Sequence, residues 1–215
     1  LAVAEREVGD VRFEGGDLLR VPADADKLIP TLNDADGLLV FNLTSTVGAL
    51  VNRLVDTGKP TILFSQPFSG HDWSMIAGLQ KAGKKVVCLS TSDYGELVVA
   101  ARLLRTGPRL QQSRIVYVTE KGMSDDGAKN VRDKTGVTIV SLPRTGLMDL
   151  YETIDIKAAE AEAEEWIRGA TKVVEPSRDE IVKSGRMYLA MRKALANSGA
   201  QAITIDCLGL FYRKL

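Results

Sequence analysis

Three short apolar stretches, each followed by a helical pattern, constrain the fold more than any other feature of this sequence. They are GLLVFNL at 37–43, PTILFSQ at 60–66 and KKVVCLS at 84–90. Each stretch is apolar throughout rather than alternating, as strands covered on both faces must be. Strands and helices that alternate at this spacing form right-handed crossovers in a parallel sheet. The first half of the chain is therefore predicted to be an α/β domain.

A second series of the same kind follows GPRLQQ at 107–112, which we interpret as a hinge. Its predicted strands are SRIVYVT, VTIVSLP and AITIDCLGL. A long helix before the last strand has a predicted capping box, formed by Ser177 and Glu180. The sequence thus predicts an α/β protein with two consecutive doubly wound parallel-sheet domains of Rossmann or flavodoxin type, spanning 1–109 and 110–215.

Charge and composition limit the partners of this chain. Its 215 residues include 28 acidic and 28 basic ones, so no overall field recruits nucleic acid or anionic lipid. No apolar run approaches the roughly 20 residues of a membrane span, and no secretory signal is visible. Cys88 and Cys207 lie far apart in predicted buried strands, which fits reduced core thiols better than a disulfide. We expect a soluble, cytoplasmic protein that binds neither nucleic acid nor membranes.

Nucleotide-binding motifs do not explain the chain. GLQKAGKK at 78–85 has the spacing of a phosphate-binding GxxxxGK loop, but it closes a predicted helix and precedes a strand. Lys85 also stands where such a loop needs a hydroxyl side chain for magnesium. No GxGxxG follows any predicted strand, so a dinucleotide fingerprint is absent as well.

Polar loops follow each of the first three predicted strands. Ligands of open α/β sheets gather at the carboxyl ends of the strands, where helix N-termini favour hydroxyl groups or anions. In the loops after the first and third strands, Thr44, Ser45, Thr46 and Ser92 are explained most simply as helix caps. A binding role for these loops stays open.

The loop after the second strand carries the only histidine of the chain, His71, beside Asp72 and Trp73. These three side chains can hydrogen-bond to or stack on a sugar-like ligand. The alternative is that Asp72 is a helix cap and Trp73 a core residue. Metal binding by His71 is not expected, because a metal site needs about three protein ligands.

Asp206 and Cys207 are predicted at the carboxyl end of the last strand, where a buried carboxylate is costly unless it is paired. Asp206 is therefore a candidate site residue, with a structural aspartate bound to backbone amides as the equal alternative. No residue is assigned as a catalyst, because neither a Ser-His-Asp nor a Cys-His arrangement is defensible and no GxSxG is present.

The stretch LLVFNLTSTVGALVNRLVDTGKPTILFSQPFSGHDW resembles the first-domain core of the L-fucose and L-arabinose isomerase superfamily, the fucose isomerase branch most closely. The shared pattern is a strand ending in Phe-Asn, a polar loop, a helix, a GKP turn and a strand leading to a Gly-His-Asp loop. KSGRMYLAMRKALANSGAQAITIDCLGL is similar to the helix and strand that close the second domain of that family. Together the matches cover about residues 35–105 and 176–210.

The resemblance implies an aldose-ketose isomerase that uses a divalent cation, commonly Mn²⁺. It places the metal ligands in a C-terminal barrel beyond these 215 residues. The chain, which begins without Met and ends on FYRKL, is therefore expected to be an inactive N-terminal fragment without tight Mn²⁺ binding. Leu208 stands where the arabinose branch has a metal-binding Glu, which argues against that branch.

The resemblance also implies subunits that assemble as trimers or hexamers, with first-domain loops that complete the active site of a neighbour. His71, Asp72 and Trp73 would then face the sugar substrate, and Asp206 is carried over more weakly. The alternative function is a non-catalytic sugar-binding or sensing module of periplasmic-binding-protein type. Such modules have two or three crossovers between lobes, whereas this sequence offers the 107–112 hinge and the C-terminal strand.

Overall fold

A computed structural model of the chain describes residues 1–67 and 73–212, without the side chains of residues 73 and 210–212. Contacts divide the chain into two compact units, Leu1–Arg109 and Leu110–Leu215. Each unit combines helices with a small parallel sheet, so the predicted α/β class is confirmed.

The first unit is built on a parallel sheet with the strand order β1-β2-β3. Its strands are β1 (Leu38–Asn42), β2 (Thr61–Ser65) and β3 (Val86–Ser90). Its helices are α1 (Ala2–Val8), α2 (Pro22–Leu28), α3 (Gly48–Val55), α4 (Trp73–Lys81) and α5 (Glu96–Gln112), with a 3₁₀ turn at Ile29–Leu32. Each strand forms where the sequence has a continuous apolar run.

The central strand β2 is buried at all five positions because helices cover both of its faces. On one face Leu63 packs with Val51 of α3 and Ile76 of α4. On the other face Phe64 packs with residues of α1 and α5. Helices do not cover both faces of β3, because Val87 in this strand is 42% exposed. The prediction that both faces of every strand are buried is therefore wrong for β3.

Residues 107–112, predicted as a hinge, form the last turns of α5 rather than a loop, and the boundary between the two units falls within them, after Arg109. Pro108 removes one helical N–H, but Gly107 before it has no Cβ to clash with the proline ring. Asp10 also holds the helix on both sides of the proline, since it accepts a 2.7 Å hydrogen bond from Arg105 Nη1 and a 2.5 Å hydrogen bond from Arg109 Nε.

The second unit has the strand order β5-β4-β6, with all pairs parallel. Its strands are β4 (Arg114–Thr119), β5 (Thr138–Pro143) and β6 (Ala202–Ile205). Its helices are α6 (Asp125–Thr135), α7 (Arg144–Glu152), α8 (Ile156–Gly169), α9 (Arg178–Ser198) and α10 (Cys207–Tyr212). Because β5 and β6 flank β4 on opposite sides, the strand order reverses at β4.

The core of the second unit lies between the sheet and two of its helices. Val116 and Val118 of β4 pack on Leu147 of α7 and Ala190 of α9. The predicted capping box of α9 is confirmed, since Glu180 Oε2 accepts from the backbone N–H of Ser177 at 2.6 Å while Ser177 Oγ accepts from the Glu180 N–H at 3.3 Å.

Neither Cys88 nor Cys207 is in a disulfide bond with another described residue. Cys88 is partly buried in β3, whereas Cys207 is exposed at the start of α10. The prediction of two buried strand thiols is therefore wrong for Cys207, because β6 ends at Ile205 before reaching it. Within residues 1–67 and 73–212, no helix is long and apolar enough to cross a membrane.

Candidate functional site

Polar side chains occupy the last position of each strand in the first unit. Asn42, Ser65 and Ser90 are aligned in the parallel register of β1, β2 and β3. Side chains alternate along a strand, so Ser65 lies on the same face as Leu63, which α3 and α4 cover. The three polar residues thus form a row at the carboxyl edge of the sheet, close to the N-terminal ends of these helices.

Two members of this row are deeply buried. Asn42 is 3% exposed, and its Oδ1 accepts a hydrogen bond of 3.3 Å from the backbone N–H of Thr44. Ser65 is fully buried, and its hydroxyl group has no hydrogen-bond partner among the residues that the structure describes. Buried hydroxyl groups are rarely left without a partner in folded proteins, so Ser65 is an unusual feature of this edge.

The loop between β1 and α3 differs from its predicted role. The sequence predicts that Thr44, Ser45 or Thr46 caps α3, but the helix begins at Gly48 after Val47, and no side chain of the described residues caps it. Thr46 instead adopts a left-handed conformation with φ of 68°. This conformation is strained for a β-branched residue, and such strain is common in functional loops. The capping prediction is wrong because the chain turns before the helix starts.

The loop after β3 is organised by its own side chains. Thr91 Oγ1 accepts from the Asp93 N–H at 2.9 Å, and Asp93 Oδ1 accepts from the Gly95 N–H at 2.7 Å. These bonds lead the chain into α5 and place Tyr94 over Phe64, with ring centroids 5.7 Å apart. The Tyr94 hydroxyl accepts a hydrogen bond of 2.5 Å from Gln66 Nε2, so the ends of β2 and β3 are linked at this edge.

The structure does not describe the side chains predicted to bind a ligand in the loop after β2. His71 and Asp72 lie outside the described residues. Trp73 is the first residue of α4, and its side chain is likewise outside the description. Their substrate-facing role stays a prediction. GLQKAGKK, which begins at Gly78, closes α4 and leads into β3, as the argument against a phosphate-binding loop requires.

Asp206 follows β6 at the carboxyl edge of the second sheet, as predicted, but it is exposed rather than buried. Its Oδ1 accepts a 3.0 Å hydrogen bond from the backbone N–H of Gly209 in the first turn of α10. The expectation of a costly buried carboxylate is therefore wrong, because β6 is short and its carboxyl end is open to solvent. The backbone contact agrees with the structural alternative and leaves the second carboxylate oxygen available.

Sequence reasoning missed Arg144, which lies at the carboxyl edge of the same sheet. Arg144 is the first residue of α7, directly after β5, and is only 5% exposed. Its Nη2 lies 2.9 Å from Oε2 of Glu120, which follows β4. The available signal was a charged residue directly after an apolar strand, the same signal that selected Asp206.

Metal binding finds no support within the described part of the chain. No group of three or more His, Cys, Asp or Glu side chains is arranged there to hold a metal ion. The resemblance places its Mn²⁺ ligands beyond these 215 residues, so no chemical step is assigned to a metal here.

Comparison with known proteins does not assign a family. No protein-family model matches the sequence. A search of curated proteins also finds no match.

Proposed function

We propose that this chain is the N-terminal part of a sugar isomerase that resembles L-fucose isomerase and interconverts an aldose and a ketose. In this proposal two doubly wound domains present strand-end loops that cover the sugar. The loop with His71, Asp72 and Trp73 faces the sugar bound to a neighbouring subunit, and Asp206 is proposed more weakly as a substrate-binding residue. The protein acts in the cytoplasm as a homo-oligomer, a trimer or a hexamer.

The observation that best supports a sugar ligand is the chemistry of the first sheet's carboxyl edge. Asn42, Ser65 and Ser90 are neutral, and each can both donate and accept hydrogen bonds. A neutral polyol presents hydroxyl groups with the same two capacities. An anionic ligand would gain more from Lys or Arg side chains, which this row lacks.

The metal belongs to the proposal through the resemblance only. A divalent cation such as Mn²⁺ would polarise the two sugar oxygens between which hydrogen moves. The described residues supply no such site, so in this proposal the ligands come from sequence that follows position 215. Residues of this chain would orient the sugar and exclude water from it.

The decisive experiment uses the coding sequence extended beyond residue 215. We expect the extended protein with Mn²⁺ to isomerise an aldose, and the 215-residue chain to show no such activity. Isomerase activity in the 215 residues alone would contradict the division of roles. Sugar binding by the short chain, together with the absence of any activity in the extended protein, would instead favour a binding or sensing module.

Within the extended protein, Trp73→Ala tests the covering loop. Loss of an aromatic contact to the sugar should raise the barrier measured by kcat/KM by about 1 to 3 kcal/mol. Trp166→Ala is the matched control, because Trp166 lies on α8 and donates to Glu162 of the same helix. Equal kcat/KM values for the two variants would show that the loop with Trp73 does not contact the substrate.

A further inference from the structure

Arg144 combines deep burial with an unused hydrogen-bond donor. Its Nη2 is paired with Glu120, but its Nη1 has no partner among the described residues. A buried donor without an acceptor costs free energy, and the cost is larger for a charged group. The guanidinium group is thus placed to donate to an oxygen atom that the surrounding side chains do not provide.

The space beside this nitrogen is bounded by Gly209 and Asp206. A Cβ atom on Gly209 would lie 2.6 Å from Arg144 Nη1 and closer still to Asp206 Oδ2. The donor and the carboxylate oxygen therefore both lie against the Gly209 backbone, at distances that leave no room for a Cβ atom. Oδ1 of Asp206 is engaged by the Gly209 N–H, so Oδ2 is the oxygen turned towards this space.

The position in the fold is one where α/β proteins bind ligands. Glu120, Arg144 and Asp206 each follow a different strand of the second sheet, β4, β5 and β6 in turn. Strand order reverses around β4, so these three carboxyl ends surround the topological switch point. A ligand there would contact residues from all three strands.

The charges of the cluster select the kind of ligand. Two carboxylates and one guanidinium leave an excess of negative charge within the cluster. A phosphate or carboxylate ligand would be repelled. A neutral polyol fits both kinds of group, because its oxygens accept from a guanidinium and its O–H groups donate to carboxylates.

We propose that Arg144, Glu120 and Asp206 form a binding site for adjacent hydroxyl groups of a neutral sugar or alditol. The inference rests on the proposed function, in which Asp206 contacts the sugar, and it adds Arg144 and Glu120 to that contact. Gly209 is required because a Cβ atom there would collide with both the guanidinium and the carboxylate and push them apart.

The test is a titration of the ¹⁵N-labelled 215-residue chain with L-fucose, L-arabinose and ribitol, with sulfate as the anionic comparison. We expect saturable shifts of the Gly209 amide and the Arg144 Nε resonances with a polyol and none with sulfate. Arg144→Gln and Gly209→Ala should each weaken the binding by about tenfold or more, as expected for a lost hydrogen bond to a charged group.

Arg168→Gln is the control, because Arg168 is an exposed residue in the last turn of α8. If circular dichroism shows that Arg144→Gln is unfolded, the affinities of Gly209→Ala and Asp206→Asn are measured in its place. The absence of saturable shifts at Gly209 with all three polyols would overturn the site. Unchanged affinity in a folded Gly209→Ala variant would overturn it as well.

The same variants separate this inference from the proposed function. If the extended protein is an active isomerase and Gly209→Ala leaves its KM unchanged, the proposed function is supported and the proposed Arg144 site is wrong. Polyol binding at Gly209 without isomerase activity in the extended protein would keep the site and reject the enzyme.

Discussion

Ser65 places a hydroxyl group in a fully buried position at the carboxyl end of β2. Because this hydroxyl has no partner among the described residues, its removal breaks no hydrogen bond that the structure shows. Its contribution to folding is therefore small or unfavourable. Polar groups that weaken a core without a ligand are typical of binding sites.

We expect Ser65→Ala to change the free energy of unfolding by less than about 1 kcal/mol, because no hydrogen bond is lost. Leu63→Ala, two residues earlier on the same face, should cost about 2 to 5 kcal/mol, because it opens a cavity in the core. Urea denaturation followed by circular dichroism measures both. A cost of several kcal/mol for Ser65→Ala would show that its hydroxyl is satisfied within the fold.

The carboxylate of Asp10 has a defined structural role, because two arginine side chains bind it. The hydrogen bond from Arg105 lowers the pKa of the Asp10 carboxyl below its usual value of about 3.8, with a further contribution from Arg109. A carboxyl whose pKa is lower in the folded state stabilises the fold above its unfolded pKa, and this stabilisation is lost as pH falls through the folded pKa.

Asp10→Asn should therefore reduce stability at neutral pH and make the acid limb of the stability curve below about pH 4 shallower. Thermal unfolding at a series of pH values between 2 and 7 tests this expectation. Asp34→Asn, an exposed residue outside this cluster, is the control. Identical acid limbs for wild type and Asp10→Asn would exclude the contribution of the Asp10 ion pairs.

At the scale of elements, α9 begins at the capping box that its sequence predicts. The Ser177 backbone N–H and hydroxyl group donate to Glu180 and lower the pKa of its carboxyl. The stabilisation is accordingly present above the usual Glu pKa of about 4.5 and is lost as pH falls through the lowered value.

Ser177→Ala should cost about 1 kcal/mol of unfolding free energy at pH 7, because one N-terminal N–H of α9 loses its acceptor. Ser184→Ala in the same helix is the control and should cost little, since alanine favours helices and the Ser184 hydroxyl only returns to the Glu180 carbonyl. Urea denaturation of both variants provides the comparison. Equal effects would mean that the cap does not stabilise α9.

Close packing of α8 on α9 depends on a glycine. A Cβ on Gly185 would lie 3.0 Å from the Ala159 carbonyl oxygen, whereas a Cβ on Gly78 in α4 would meet no heavy atom of the described residues within 4 Å. Gly185→Ala should destabilise the fold although alanine is the better helix former. Gly78→Ala should stabilise it by roughly 0.5 to 1 kcal/mol. Thermal unfolding that moves in the same direction for both variants would contradict this view of the α8–α9 contact.

The sequence predicts elements better than their ends. The strands and most helices are local consequences of apolar runs and helical spacing, which a sequence displays directly. The continuation of α5 through Pro108 depends on Asp10, which lies far away in sequence and anchors both sides of the proline. The burial of Arg144 likewise depends on which strands become neighbours, and spacing along the chain does not determine that order.

At the scale of the whole molecule, each hydrophobic cluster draws its residues from a single unit. The clusters around Leu63, Phe64, Leu38 and Ile62 lie within Leu1–Arg109. Those around Val116 and Ala159 lie beyond it. Since a buried apolar cluster is the main stabilising feature of a small domain, each unit contains what it needs to fold.

We therefore expect the separate chains 1–112 and 113–215 to fold independently, with the cut placed after the last residue of α5. Amide resonances within the sheet of each separate chain should overlay those of the 215-residue protein, as measured by ¹H–¹⁵N correlation spectra. The chain 1–83 is the control, because it lacks β3 and should not give a folded spectrum. A collapsed, poorly dispersed spectrum for 113–215 would mean that the second core forms only in the presence of the first unit.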